Sequence, residues 1–203
     1  LNEARKVLVE EATNTLFPIA KDVKIQVEFN PATVAEYRLV GYETRALKTE
    51  DFNNDKVDAG DIGAGAEVTA IYEVTPVGGP TSVDPSRYAA SAEADKSVPS
   101  TSGELAFVKV RYKLPNENES KLITTSVLPD MNAGIAAEAQ NLQKETDWAV
   151  AVASFAGILK GGKYTGQMTY DDVLNLANAS KGNDPFGYRA EFITLVHKAK
   201  TAA

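Results

Sequence analysis

The sequence has no cysteine and only one histidine in 203 residues. Without cysteine the chain has no disulfides, no thiolate metal ligands and no cysteine nucleophile. The sequence places no nucleophile or orienting acid beside the single histidine, His197, so a catalytic triad has no support. We therefore predict no catalytic residues, and we interpret His197 as a helix-terminal residue that interacts with the helix dipole.

Clustered basic charge and long apolar runs are also missing. The chain carries 21 Lys and Arg against 28 Asp and Glu, a net charge of -7. Nucleic-acid binding requires clustered cations that neutralise phosphates, so we predict no nucleic-acid partner. No apolar run reaches the roughly 20 residues that span a bilayer, and residues 1–20 lack the layout of a secretory signal. We predict no transmembrane segment in this chain.

Alternating apolar and polar residues are typical of half-buried strands, and they recur in the first 130 residues. In the first such stretch, the alternation predicts one apolar face and one polar face. The apolar face is Val23, Ile25, Val27 and Phe29, and the polar face is Lys24, Gln26 and Glu28. The predicted strands are 22–30, 37–42, 68–74, 105–114 and 122–127. The polar turn 115–119 predicts that the last two form an antiparallel pair.

Apolar residues recur at helical spacing over residues 3–15 and again from residue 133 onward, and this periodicity predicts helices there. Thr169 followed by Asp172 is the pattern of a capping box at a helix start. The apolar residues predicted to face inward in the carboxyl-terminal part are Trp148, Val152, Phe155, Ala156, Leu159, Val173, Leu174, Leu176, Ala177, Phe192, Ile193, Leu195 and Val196.

Strands followed by helices, without alternation between them, predict the α+β class. We expect an antiparallel β-sandwich or sheet followed by a C-terminal helical subdomain. The predicted organisation is a helical lead-in over 1–20, a β-sandwich domain over 21–128 and a helical subdomain over 129–203. The stretch 76–103 is rich in Pro, Gly, Ser and Ala, so we predict a long exposed loop there.

An acidic loop supplies the one pattern suggestive of a metal site. Oxygen-bearing side chains at alternate positions are typical of calcium loops, because Ca²⁺ takes many hard ligands. The candidate ligands are Asp51, Asn53, Asp55, Asp58 and Asp61. Lys56 stands where a calcium loop has its glycine, and Ile62 stands at the twelfth position, so a solvated acidic turn is the favoured interpretation. We predict no other cofactor.

Several stretches resemble the C-terminal region of bacterial von Willebrand factor type A domain proteins of the YfbK type. They are EARKVLV at 3–9, AKDVKIQVEFNP at 20–31 with YRLVGYE at 37–43, DPFGYRAEF at 184–192, and the loop 63–65 leading into 68–73. The resemblance implies that the type A domain precedes this chain, together with an export signal or lipid anchor. The Asp-x-Ser-x-Ser metal loop of such domains is not found in this sequence.

These observations predict a noncatalytic structural or protein-interaction module in the bacterial cell envelope, periplasmic or extracellular, that serves adhesion or assembly with a protein partner. The alternative is a cell-wall glycan hydrolase that uses two distant carboxylates. Within the last stretch of the resemblance, Arg189 is expected to hold the final helix in place through an ion pair with Glu191. The alternative role for Arg189 is to present its guanidinium to a partner carboxylate.

Overall fold

A computed structural model describes residues 17–42, 46–84, 103–129 and 136–203, with backbone alone at 136–139. The chain divides into two compact units, Leu1–Met131 and Asn132–Ala203. The first unit contains antiparallel strands and the second contains helices. The predicted α+β class is therefore confirmed. The predicted helix over 3–15 and most of the predicted loop over 76–103 lie outside the described residues.

The described strands form two sheets, and all of their pairings are antiparallel. One sheet has the order β3-β1-β5-β6 and the other pairs β2 with β4. The strands are β1 Pro18–Phe29, β2 Val34–Val40, β3 Gly60–Gly63, β4 Ile71–Pro76, β5 Ala106–Lys113 and β6 Lys121–Val127. The predicted antiparallel pairing of the last two strands is confirmed.

The two sheets meet around the ring of Phe29 at the end of β1. This ring stacks on Tyr37 of β2 with ring centroids 4.3 Å apart, and it meets Tyr72 of β4 edge to face at 5.2 Å. Aromatic pairs in these arrangements add to the free energy gained by burying their area. The aromatic contact therefore covers one end of the larger sheet.

Two features of the first unit differ from the sequence prediction. The predicted loop over 48–65 contains a short 3-10 helix, Thr49–Asp51, and the edge strand β3. β3 was not predicted because its four residues, Gly-Asp-Ile-Gly, have little intrinsic preference for strand. They become a strand because pairing with β1 supplies their hydrogen bonds. Strands β2 and β4 are also displaced from the predicted ranges by about three residues, since strand ends are set by the partner strand.

The second unit contains three described helices, α1 Ala136–Leu159, α2 Tyr170–Ser180 and α3 Tyr188–Ala202. The predicted capping box is confirmed at α2, where Thr169 accepts from the amide of Asp172 and Asp172 accepts from the amide of Thr169. The buried core of this unit consists of Ala151, Phe155, Val173, Leu174, Ala177 and Val196. The rings of Trp148, Phe155 and Phe192 pack edge to face beside it.

Four apolar residues predicted to face inward are instead exposed, so the prediction was wrong for them. Leu195 is 53% exposed, and Val152, Ala156 and Leu159 are exposed as well. Each helix buries only the side that meets its neighbours. On α3 that side is marked by Phe192, Ile193, Val196 and Ala199. Leu195 lies about 160° around the helix from Ile193, at the margin of that side.

Candidate interaction surface on the four-stranded sheet

The register of the larger sheet places branched apolar side chains in rows across three strands. Ile25 of β1 pairs with Val110 of β5, and Val110 pairs with Ile123 of β6. The neighbouring row on the same face runs through Val27, Val108 and Thr125. Paired residues in a sheet point to the same side, so these rows form a continuous face. We call it the apolar face, defined by these six residues.

The apolar face is open to solvent at the end away from Phe29. Ile25 is 50% exposed and Ile123 is 52% exposed, while Val110 between them is half-buried. The aromatic contact of Phe29 with β2 and β4 covers only the opposite end. Large aligned apolar side chains in water are typical of surfaces that bind another molecule.

The opposite, polar face of the sheet is covered around Lys24, contrary to the alternation in β1. Lys24 is only 4% exposed, and its ammonium group donates to the carbonyl oxygens of Asp51, at 3.3 Å, and Asn54. Phe52 in the same segment is also buried. The segment 49–59 therefore lies over the polar face, and the expectation that Ile25 would be buried and Lys24 exposed is wrong.

Two further cations of β5 bind the same segment. The Arg111 guanidinium lies 3.3 Å from the Asp55 carboxylate and 3.4 Å from the Asn53 side-chain oxygen. Lys113 donates to the Asp55 carbonyl at 3.0 Å and to the Asp22 carboxylate at 2.6 Å. We call the segment 49–59, held by Lys24, Arg111 and Lys113, the latch.

Hydrogen bonds from side-chain donors explain the pKa shifts of the charged groups at the latch. The hydrogen bond from Lys113 lowers the pKa of Asp22 below its ordinary value, and the same bond raises the pKa of Lys113. The Ser120 hydroxyl, followed by Arg111, lowers the pKa of Asp55. Each carboxylate is thus stabilised in its charged form by donors from the protein itself.

The structure distributes the five candidate calcium ligands over different partners. The side chains of Asn53 and Asp55 accept hydrogen bonds from the Arg111 guanidinium. The backbone carbonyl of Asp51 accepts a hydrogen bond from the Lys24 ammonium group. Asp58 and Asp61 both contact Asp22, Asp61 by accepting from its backbone amide at 3.2 Å. Within the described ranges, no group of three or more acidic or histidine side chains converges on a cation position. Calcium binding by this loop stays a prediction.

β6 is one of the two edge strands of the larger sheet among the described residues. Residues Lys121 to Thr125 of this strand are all exposed, and β6 pairs with β5 on one side. Among the described strands none pairs with its other side. An edge strand presents a row of backbone amide and carbonyl groups that can bond to another extended chain.

In the helical unit, Arg189 has the structural role expected of it, but with a different carboxylate. Its guanidinium donates to Lys181 O at 2.9 Å at the end of α2, pairs with Glu145 of α1, and lies 4.9 Å from the Trp148 ring. Glu191 is exposed. The alternative of a guanidinium kept for a partner finds no support in these contacts.

His197 lies on the exposed side of α3. A shallow open depression there is lined by Thr194, His197, Lys198, Thr201 and Ala202. No carboxylate is among these lining residues, so the depression does not bring together a histidine and an acid. In the part of the chain that the structure describes, no helix is long and apolar enough to cross a membrane.

The sequence interpretation missed Lys24, Arg111 and Lys113 as partners of the acidic loop. A signal was available, because residues 108–113 alternate strictly and place Lys109, Arg111 and Lys113 on one face. Such a row of cations on a strand, in a chain that also carries an acidic loop, indicates that the two meet.

The family of this chain is decided by comparison with known proteins. The family described as "Uncharacterized protein YfbK, C-terminal" matches residues 14–202. The chain belongs to the YfbK C-terminal family. It is similar to "Uncharacterized protein YfbK" of Escherichia coli (strain K12), with 43% identity over 199 residues, which is 98% of this chain.

The match spans 33% of the length of the Escherichia coli protein, so this YfbK-type chain corresponds to about a third of that relative. The resemblance found in the sequence is confirmed by the family match. No solved structure gives a significant match. The activity and partners of the longer YfbK-type protein are therefore matters for proposal.

Proposed function

We propose that this chain is a noncatalytic protein-interaction module of a bacterial envelope protein, and that the apolar face and the β6 edge of its larger sheet form the binding surface. The row of Ile25, Val110 and Ile123 carries the proposal, because two of its three side chains remain half-exposed. Burial of apolar area yields roughly 25 cal/mol per Å². A partner that covers this row gains that free energy.

The contacts of the latch support the choice of the apolar face as the binding surface. Lys24, Arg111 and Lys113 donate hydrogen bonds to the segment 49–59, so this segment already covers the part of the polar face around Lys24. Ile25 and Ile123 on the apolar face remain about half exposed. Adhesion or assembly in the envelope is the role that fits such a surface together with the resemblance to von Willebrand factor type A proteins.

The partner is a protein that contributes an extended strand. Backbone amide and carbonyl groups along the exposed β6 edge form hydrogen bonds with the added strand. Every second side chain of that strand extends the apolar face, so the partner strand needs apolar residues at alternate positions. A glycan hydrolase would require two carboxylates separated by about 5 to 9.5 Å beside a cleft. Asp22 is instead held in an ion pair with Lys113 at 2.6 Å.

The test places a photo-cross-linking amino acid at Ile123 of the longer protein in bacterial cells, with a matched position at Leu195 as the control. Both side chains are about half exposed, but Leu195 lies on α3. We expect a cross-linked protein at position 123 and none at position 195. The product should disappear when Ile25→Lys is added on the same row. Equal labelling at both positions, or a product that survives Ile25→Lys, would contradict the proposal.

A further inference from the structure

The two edges of the larger sheet differ in how they are protected. β3 is an edge of four residues with glycine at both ends, and its pairing with β1 contains two register shifts. Short length and irregular pairing are devices that prevent an edge from joining another chain. β6 has seven residues, pairs with β5 without interruption, and contains no proline. The sheet therefore has one protected edge and one unprotected edge.

The composition of β6 favours pairing with a copy of itself. Its sequence, Lys-Leu-Ile-Thr-Thr-Ser-Val, is rich in branched residues and has its only charge at the first position. In an antiparallel pair centred on Thr124, Lys121 faces Val127 of the second copy. The two lysines then lie at opposite ends of the pair, about 20 Å apart at 3.4 Å per residue. No like charges face each other.

The same pairing extends the apolar face across both copies. Around a twofold axis at Thr124, Ile123 of one copy faces Thr125 of the other. The row of Ile25, Val110 and Ile123 is then continued by Thr125, Val108 and Val27 of the second copy. At the axis Thr124 faces its own counterpart, and cross-strand threonine pairs are favourable. Both half-exposed rows become parts of one larger face.

We propose that the strand bound at the β6 edge is β6 of a second copy of this chain, in antiparallel register about Thr124. The result is a continuous eight-stranded sheet with twofold symmetry. This proposal rests on the proposed interaction function and names its partner. An isologous contact of this kind forms a closed dimer.

The test uses charge at the twofold axis. Thr124 is exposed and faces Lys109 of β5 within the chain, so circular dichroism and thermal melting check that Thr124→Glu and Thr124→Lys keep the fold of the single chain. In a homodimer each variant places like charges directly opposite each other. Sedimentation equilibrium of the 203-residue chain should show a dimer for the unsubstituted protein and a dissociation constant at least tenfold higher for either variant.

Mixing the two variants in equal amounts should restore the dimer, because glutamate then faces lysine. A misfolded variant cannot be rescued in this way. Thr146→Glu and Thr146→Lys, at an exposed position of α1, serve as matched controls and should not change the dimer. A monomeric unsubstituted chain, unchanged dimerisation of the Thr124 variants, or failure of the mixture to recover would each overturn the proposal.

The two experiments together distinguish failure of the self-association proposal from failure of the proposed interaction function. If the chain is monomeric and position 123 still cross-links to another protein, the second copy is excluded while the interaction function stands. If the chain is monomeric and position 123 gives no product, both proposals are excluded.

Discussion

Lys113 donates a hydrogen bond to the carboxylate of Asp22 over 2.6 Å, and this contact joins β5 to an irregular point of β1. The two side chains are only 14% and 18% exposed. Asp22 has a positive φ of 51°, a conformation that is rare outside glycine and costs backbone energy. The pairing register shifts between Lys21 and Lys24 around it. The ion pair therefore stabilises a bulge whose backbone is strained.

The first prediction concerns the pH dependence of this pair. The pKa of Asp22 is lowered in the folded chain, so its contribution to stability is present above its unfolded value of 3.8 and is lost as the pH falls through the folded value. Asp22→Asn should lower the free energy of unfolding at pH 7 by about 1 kcal/mol or less, because the pair keeps some contact with water. Urea unfolding at pH 7 and pH 3 measures the difference, which should shrink at the lower pH. A difference that is constant across this range would contradict the assignment.

The second prediction concerns the buried lysine of the latch. Lys24→Met keeps the length of the side chain but removes both hydrogen bonds to the segment 49–59. We expect a loss of about 1.5 to 3 kcal/mol, since the two carbonyl oxygens lose a charged donor. Amide hydrogen exchange should accelerate in the segment 49–59. Lys56→Met, at an exposed position of the same segment, is the matched control and should change neither quantity.

The third prediction concerns Arg189 in the helical unit. A lysine cannot reproduce the planar contact with Trp148 together with the hydrogen bonds to the end of α2 and to Glu145. Arg189→Lys should lower the free energy of unfolding by about 1 to 3 kcal/mol. Arg38→Lys makes the same change in an exposed ion pair with Glu73 and should cost less than about 1 kcal/mol. Equal losses in thermal melting would show that Arg189 has no special role.

The fourth prediction concerns Gly157 within α1. Replacing an exposed helical glycine by alanine usually stabilises a protein by about 1 kcal/mol. Here a Cβ atom would lie 2.6 Å from Cγ2 of Thr165, whose hydroxyl is bonded to Gly162 O. Gly157→Ala should therefore destabilise the helical unit by about 1 to 3 kcal/mol. Adding Thr165→Ser removes the methyl group and keeps the hydroxyl, so the double variant should regain most of the loss; no recovery would rule out this clash.

The fifth prediction concerns cations at the latch. Lys113 pairs with Asp22 and Arg111 pairs with Asp55, so millimolar Ca²⁺ should change the melting temperature of the unsubstituted chain by less than about 1 °C. Lys113→Met leaves Asp22 without its cation, and Ca²⁺ should then stabilise the variant more than it stabilises the unsubstituted chain. Calorimetry with Ca²⁺ and with chelator measures both. A large shift in the unsubstituted chain would show that the acidic loop binds calcium.

Elements with strong local signals were predictable from the sequence. The capping box of Thr169 and Asp172 depends on side chains three residues apart, and the pairing of β5 with β6 depends on a short polar turn between two alternating stretches. In both cases the interacting groups are close in sequence. The helical periodicity that predicts α1 and α2 is local in the same sense.

The faces of the sheet could not be predicted in this way. Alternation in β1 separates Ile25 from Lys24, but it does not say which side another segment will cover. That outcome depends on Arg111 and Lys113, which are more than 50 residues from the acidic loop that they bind. β3 likewise becomes a strand through its contact with β1.

The sequence by itself determined the α+β class, the antiparallel character of the last two strands and the start of α2, because periodicity, turns and caps act over a few residues. The tertiary structure alone decided that Lys24 is buried, that Ile25 and Ile123 are exposed to solvent, and that β6 is an edge among the described strands. These properties follow from which distant segments pair, and pairing is fixed by the whole set of charges and apolar areas that fold together.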